Sequence, residues 1–205
     1  MPKNIEVEIR GQLTKEKLEE LKEKFSREGK KLTEKDRVII AYSNFLPGSI
    51  ENQTTDIRLR ATNGVPEIII KLGQWGGSDQ REEISAFAQP GQFDSLVQIF
   101  KVLDLTKGML CQRKIDVFEY QGVEFALVGV PNGHSYYFEA EKMVDENDDK
   151  DQATQEILNV CQNLGLQAFS QQEFFDYIHK LNKEINELFD ADTCPKDYFK
   201  TRFGI

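Results

Sequence analysis

NIEVEIR, residues 4–10, alternates without a break: Ile5, Val7 and Ile9 fall on one side, Glu6, Glu8 and Arg10 on the other. A period of two is the mark of a strand with one apolar and one polar face. Just beyond it, Thr14 is placed to cap a helix over residues 15–28, with Leu18, Leu21 and Phe25 as its apolar stripe and Gly29 as its stop. RVIIAYSNF (37–45) predicts the next strand, and Leu46 to Thr54 a connecting loop. DIRLRA (56–61) and EIIIKL (67–72) meet across Asn63-Gly64 and Val65-Pro66, a hairpin with a loop longer than the ideal two residues. Glycines and polar residues from 73 to 80 predict a flexible connection into a strand over REEISAF (81–87). A helix from Gln92 to Leu103 then follows from the spacing of Phe93, Leu96, Val97, Phe100 and Leu103.

The second half repeats the hairpin style. Residues 109–120 and 123–130 are strands about a Gln121-Gly122 turn, and Pro131-Asn132-Gly133 turns into a strand over 134–144. The acidic run Asp145–Asp151 is a solvated entry to a helix marked by Ile157, Cys161 and Leu164. Phe174, Ile178, Leu181, Ile185 and Leu188 mark another, so the C-terminal helices are expected at about 152–190. No low-complexity linker and no long repeat interrupts the chain, and residues 1–205 are read as one domain. The expected class is α+β: an antiparallel, eight-stranded closed barrel with helices packed outside, because closure removes the edges of such a sheet.

If the helices cover the apolar strand faces, the charged faces line the bore. Charges in such a place need partners, water or a ligand. Glu6 and Glu8 point the same way from one strand, and Glu139 and Glu141 from another. Converging carboxylates suit Mg²⁺ or Mn²⁺, hard ions that take oxygen ligands. Arg10, Arg58, Arg60, Lys71, Arg81 and Arg113 also sit at strand positions, and guanidinium forks and ammonium groups hold phosphate chains. The alternative is plain: Glu-x-Glu and Arg-x-Arg are common on solvent-facing strands. Trp75, in the glycine loop GQWGG, is either a packing anchor or a lid. That loop lacks a phosphate-loop lysine. His134 and His179 are isolated, the first expected to be exposed after a turn and the second a surface or core filler.

Composition narrows the field. A net charge of -9 disfavours a broad nucleic-acid surface. Cys111, Cys161 and Cys194 have no zinc-site spacing, and their odd, sparse number fits a reducing compartment. No stretch is apolar and long enough to span a membrane, and the N-terminal segment has acids where a signal peptide needs an apolar run; a cytoplasmic protein is expected.

The motif order resembles the CYTH domain proteins, or triphosphate tunnel metalloenzymes: thiamine triphosphatases, inorganic tripolyphosphatases, class IV adenylate cyclases and certain RNA triphosphatases. Their N-terminal ExExK is matched by Glu6-Val7-Glu8-Ile9-Arg10, with arginine for lysine. Their LRxR-type strand is matched by Ile57-Arg58-Leu59-Arg60, the next basic strand by Lys71, and R-x-E by Arg81-Glu82-Glu83. K-x-R falls on Cys111-Gln112-Arg113, and the terminal E-x-E on Glu139-Ala140-Glu141. The resemblance implies metal-dependent hydrolysis of a small triphosphate such as tripolyphosphate or thiamine triphosphate. Glu6, Glu8 and Arg10 would be catalytic, Arg58, Arg60, Lys71, Arg81 and Arg113 would bind substrate, and Glu6, Glu8, Glu139 and Glu141 would hold Mg²⁺ or Mn²⁺. Cys111 departs from the family's lysine, and Val128 stands where an aspartate would join the metal ligands; Asp116 and Glu124 are the nearby acids. These departures favour a non-catalytic nucleotide- or polyphosphate-binding module as the alternative, and cyclisation of ATP is a third reading. The partner is a triphosphate-bearing small molecule, with nucleic acid limited to an RNA 5′ end; the last helix could serve a homodimer.

Overall fold

The computed structural model describes residues 4–131, 135–145 and 149–205, so His134 and the Asn132-Gly133 part of its turn lie outside the described residues. NIEVEIR opens a longer strand, β1 (Asn4–Leu13), followed by α1 (Lys15–Glu28) and β2 (Lys30–Ala41). Thr14 caps α1 by accepting from the Lys17 N–H. Gly29 ends the helix in extended backbone at φ -119°, and a Cβ there would come within 2.6 Å of the Glu119 carbonyl oxygen. The stop is therefore glycine for want of room.

β3 (Thr55–Thr62) and β4 (Val65–Leu72) form a tight hairpin. Its loop is Asn63 and Gly64 alone, both at positive φ, so the expected longer loop is corrected to the two-residue type that matches strand twist. Then come β5 (Ser78–Phe87), α2 (Phe93–Val102), β6 (Lys107–Tyr120), β7 (Val123–Gly129) and β8 (Tyr136–Asp145). The chain finishes with α3 (Lys150–Asn163), α4 (Gln171–Glu184), β9 (Glu187–Asp190) and α5 (Tyr198–Phe203). The strand expected at 37–45 lies at Lys30–Ala41 instead, and Ser43–Phe45 forms a 3-10 turn. The helical spacing through Ile185 and Leu188 does not carry a helix: Ile185 is the C-cap of α4 and Leu188 lies in β9.

The sheet runs β2-β3-β4-β5-β1-β8-β7-β6, and β2 pairs with β6 to close an antiparallel, eight-stranded barrel. β9 is a ninth strand on β6, over Lys107–Leu110, beyond the stretch of β6 that β7 occupies. The apolar strand faces point outward. Val7 and Ile9 of β1 join Phe118, Phe125 and Phe138 beneath Leu21 and Phe25 of α1 and Ile157 of α3. Ile40 and Leu59 pack with Phe93 and Phe100 of α2 and Phe199 of α5. The main cores lie between barrel and helices, which leaves the alternate, charged residues to face inward. Among the described residues no helix is long and apolar enough to cross a membrane.

Candidate functional site

Register builds the site. β1 and β8 align Glu8 with Glu141 and Arg10 with Glu139, while β1 and β5 align Glu6 with Arg81 and Glu8 with Asp79. These pairs share the inner face, and Glu6, Glu8, Arg10, Glu139 and Glu141 among them, together with Lys35, Arg37, Arg58, Arg60, Lys71, Glu83, Arg113 and Glu124, line a cavity of about 230 Å³. A second chamber of about 100 Å³ shares Arg10, Arg58, Arg113 and Glu139 with it and is lined also by Trp75, Phe169, Phe174, Tyr177 and Leu181. Aromatic side chains of α4 thus line one side of the bore.

One carboxylate oxygen from each of Glu6, Glu8 and Glu141 lies within 4.8 Å of the others. Burial opposes a charge on Glu6, but the hydrogen-bonded Lys71 ammonium outweighs it and holds the carboxyl well below its usual range. Glu8 is pushed up by burial, an effect that Arg10 counters only partly. Burial also raises Glu141, reinforced by the Glu8 and Glu6 charges. Three crowded carboxylates with too little positive charge fit a hard divalent cation with oxygen ligands. Glu139 stands beside Arg10, with its oxygen 3.5 Å from Nε, outside that trio.

The predicted cations divide by partner. Arg10 donates from Nη1 to Asp79 at 2.8 Å and to the Gly76 carbonyl at 2.8 Å, and from Nη2 to Glu8. Its backbone N–H also bonds Gly77 and its carbonyl accepts from Phe169, so it ties the glycine loop and the approach to α4 onto β1. Lys71 sits among Glu6, Glu8 and Glu83. Arg58 pairs with Asp56, and Arg60 donates twice to one oxygen of Glu67, at 2.9 and 2.7 Å. Arg81 is 1% exposed; Nη1 reaches Asp56 at 3.2 Å, whereas among the described residues Nη2 has no partner and Nε faces Asp79 at 3.2 Å without hydrogen-bond alignment. A guanidinium nitrogen orphaned at this depth is a donor in want of an acceptor.

Strand reading missed several inner residues. Asp79 fell in the expected flexible connection, and Lys35 lay before the expected start of a strand. Asp56 and Glu67 alternate in phase with Arg58 and Lys71, a signal available from spacing alone. Of the two open acids, Glu124 faces the bore opposite Glu141, while Asp116 faces outward to Lys22 and Lys31. Val128 is buried in an inward apolar patch with Ile115, Val117, Ala126 and Tyr137, and Cys111 lines the aromatic chamber. Trp75 is a packing anchor: it meets Phe174 and Phe175 edge-on, with Arg58 and Arg81 5.7 and 6.0 Å from its ring centre. His179 is exposed on α4 and pairs with Glu51 at 2.8 Å.

The closed eight-strand ring matches solved structures across most of the chain. A Pyrococcus horikoshii protein aligns with TM-score 0.67 and 20% identity over 85% of this chain and 98% of its own. A putative adenylate cyclase from Vibrio parahaemolyticus aligns at 0.57 and 12% over 83% and 92%. A putative adenylyl cyclase from Hippeastrum, described as having a dominant triphosphatase activity, aligns at 0.55 and 12% over 82% and 90%. This is the triphosphate-tunnel fold. No family model and no curated protein matches the chain. At these identities the likeness is one of fold, and within the triphosphate-tunnel fold the chemistry must be argued from this chain's own side chains.

Proposed function

We propose that the tunnel binds a triphosphate-bearing small molecule and hydrolyses its terminal phosphoanhydride with the help of a divalent cation. The observation that carries this reading is the inward Glu6–Glu8–Glu141 trio set in the same cavity as Arg58, Arg60 and Arg113. Glu6, Glu8 and Glu141 would hold Mg²⁺ or Mn²⁺, which supplies charge neutralisation and Lewis acidity toward phosphate oxygens. Arg58, Arg60, Arg81 and Arg113 would bind those oxygens and offset the charge that gathers as the anhydride opens. Lys71, tied to Glu6, keeps that carboxylate ionised, and Arg10 positions Glu8 and the loop at Gly76. Water adds to the terminal phosphorus as the bridging P–O bond breaks; orthophosphate forms, the diphosphate-bearing remainder leaves with the bridging oxygen, and the water's proton is released to solvent.

The test is phosphate release from tripolyphosphate, thiamine triphosphate and ATP with Mg²⁺, Mn²⁺ or EDTA. Glu6→Gln with Glu8→Gln is expected to lower turnover by roughly 100-fold or more with the fold intact; unchanged kinetics would refute the assignment. The second reading, a polyphosphate-binding module, is favoured by the inward Val128 and Cys111, which supply no carboxylate and no cation. Tight binding with no product under any metal would select it. Cyclic nucleotide with pyrophosphate, instead of orthophosphate, would select the cyclase.

A further inference from the structure

Three strands separate β2 from β1 in either direction around the ring, so β2 forms the wall facing Glu6 and Glu8. Its Arg37 faces the bore and lies in register with Thr62 of β3 on one side and Arg113 of β6 on the other. Like charges directly opposite on neighbouring strands are destabilising, and more so when water is scarce. Most other cations of this bore are offset by carboxylates: Arg10 by Glu8, Arg58 by Asp56, Arg60 by Glu67, Lys71 by Glu6. Among the described residues neither Arg37 nor Arg113 has an ion pair. Arg37 donates from Nε to the Thr62 hydroxyl at 3.2 Å. Arg113, 6% exposed, finds neutral partners: the Gln112 carbonyl at 2.7 Å, Asn186 Oδ1 at 3.2 Å and the Tyr137 hydroxyl. Burial, with the Arg60 charge behind it, pushes the Arg37 guanidinium below its ordinary value, the direction expected of a cation awaiting an anion.

We propose that Arg37 is a polyphosphate-binding residue which, with Arg113, clamps phosphate oxygens from the wall opposite the glutamates. This rests on the tunnel reading above and adds to it: the chain of phosphates is gripped between two walls, by carboxylate-held metal on one and by two unneutralised guanidinium forks on the other.

Calorimetric titration of inorganic tripolyphosphate tests it, once with Mn²⁺ and once with EDTA, alongside melting of the ligand-free protein. Arg37→Gln should weaken tripolyphosphate binding by about 10- to 100-fold. Arg37→Lys should recover part of that loss, and Arg27→Gln on the surface of α1 should recover wild-type binding. Because Arg37→Gln removes a largely buried cation that the Arg60 charge disfavours, the ligand-free variant should melt at or above the wild type, an outcome a merely structural arginine would not give. Wild-type affinity in Arg37→Gln overturns the clamp and leaves the tunnel reading standing. A variant that melts lower or fails to fold also overturns it, by making Arg37 structural. A wild type that binds no tripolyphosphate with or without Mn²⁺ removes the tunnel reading itself, and the clamp with it.

Discussion

Asp56 shows how much of this bore is a matter of individual charges. It is buried, and burial works against its ionised form, yet the Arg58 and Arg81 guanidiniums and the Ser43 hydroxyl outweigh that and hold its carboxyl far below the usual range. An unfolded chain takes up this proton near pH ~3.9. The folded chain therefore binds fewer protons below that point, and its stability must fall as pH is lowered from about 5 toward 2. Replacing Asp56 with Asn should cost about 3 to 5 kcal/mol at neutral pH, since Arg58 and Arg81 lose their shared partner. In urea unfolding, the gap between wild type and this variant should shrink steadily as the buffer is acidified. A gap independent of pH would mean that Asp56 is not charged in the native barrel. Such pairing was readable in part: Asp56, Arg58 and Arg60 alternate with Ile57 and Leu59, so their shared face follows from spacing. Which carboxylate neutralises which cation depends on cross-strand register, and spacing within one strand is silent on that.

Elements were legible where local chemistry and packing agree. α1 has a cap, a stripe and a stop within one stretch of chain, and its Phe25 sits fully buried against Phe118, Tyr120 and Phe125. Phe25→Ala should cost about 3 to 5 kcal/mol in chemical denaturation. Tripolyphosphate affinity should stay unchanged where both proteins are folded, because Phe25 belongs to the outer layer. α4 carries a full capping box, Ser170 with Glu173. Ser170→Ala should cost about 1 kcal/mol and raise amide exchange in the first turn of α4, where Phe174 and Phe175 brace Trp75. The two elements misread from spacing fail for one reason, that long-range pairing decided them. The first half of β2, Lys30 to Lys35, carries a single apolar residue, the exposed Leu32, and is a strand because β6 pairs with it. Leu188 continues a helical spacing by coincidence; it is 65% exposed in a strand added to β6.

Seen whole, the molecule inverts the usual order of layers: oily cores outside the barrel, charges within. Such an interior leaves the Glu6–Glu8–Glu141 cluster and the Arg37–Arg113 pair each in want of opposite charge. Ligands that supply it should stabilise the protein. At a hundredfold excess over the dissociation constant the gain is about 2.7 kcal/mol, which for a chain of this size is a rise in melting temperature of roughly 5 to 10 °C. Mn²⁺ and tripolyphosphate should each raise the melting temperature, and Glu6→Gln with Glu8→Gln should abolish only the Mn²⁺ part. No shift from either would mean the charges are balanced without them. Trp75 is the chain's single tryptophan, and its indole lies against the two arginines at the aromatic side of the bore, with a buried Nε1 that has no partner among the described residues. Its ultraviolet emission is thus a built-in optical gauge of that chamber, and anion entry that draws Arg58 or Arg81 off the ring should change its colour and intensity without any dye attached.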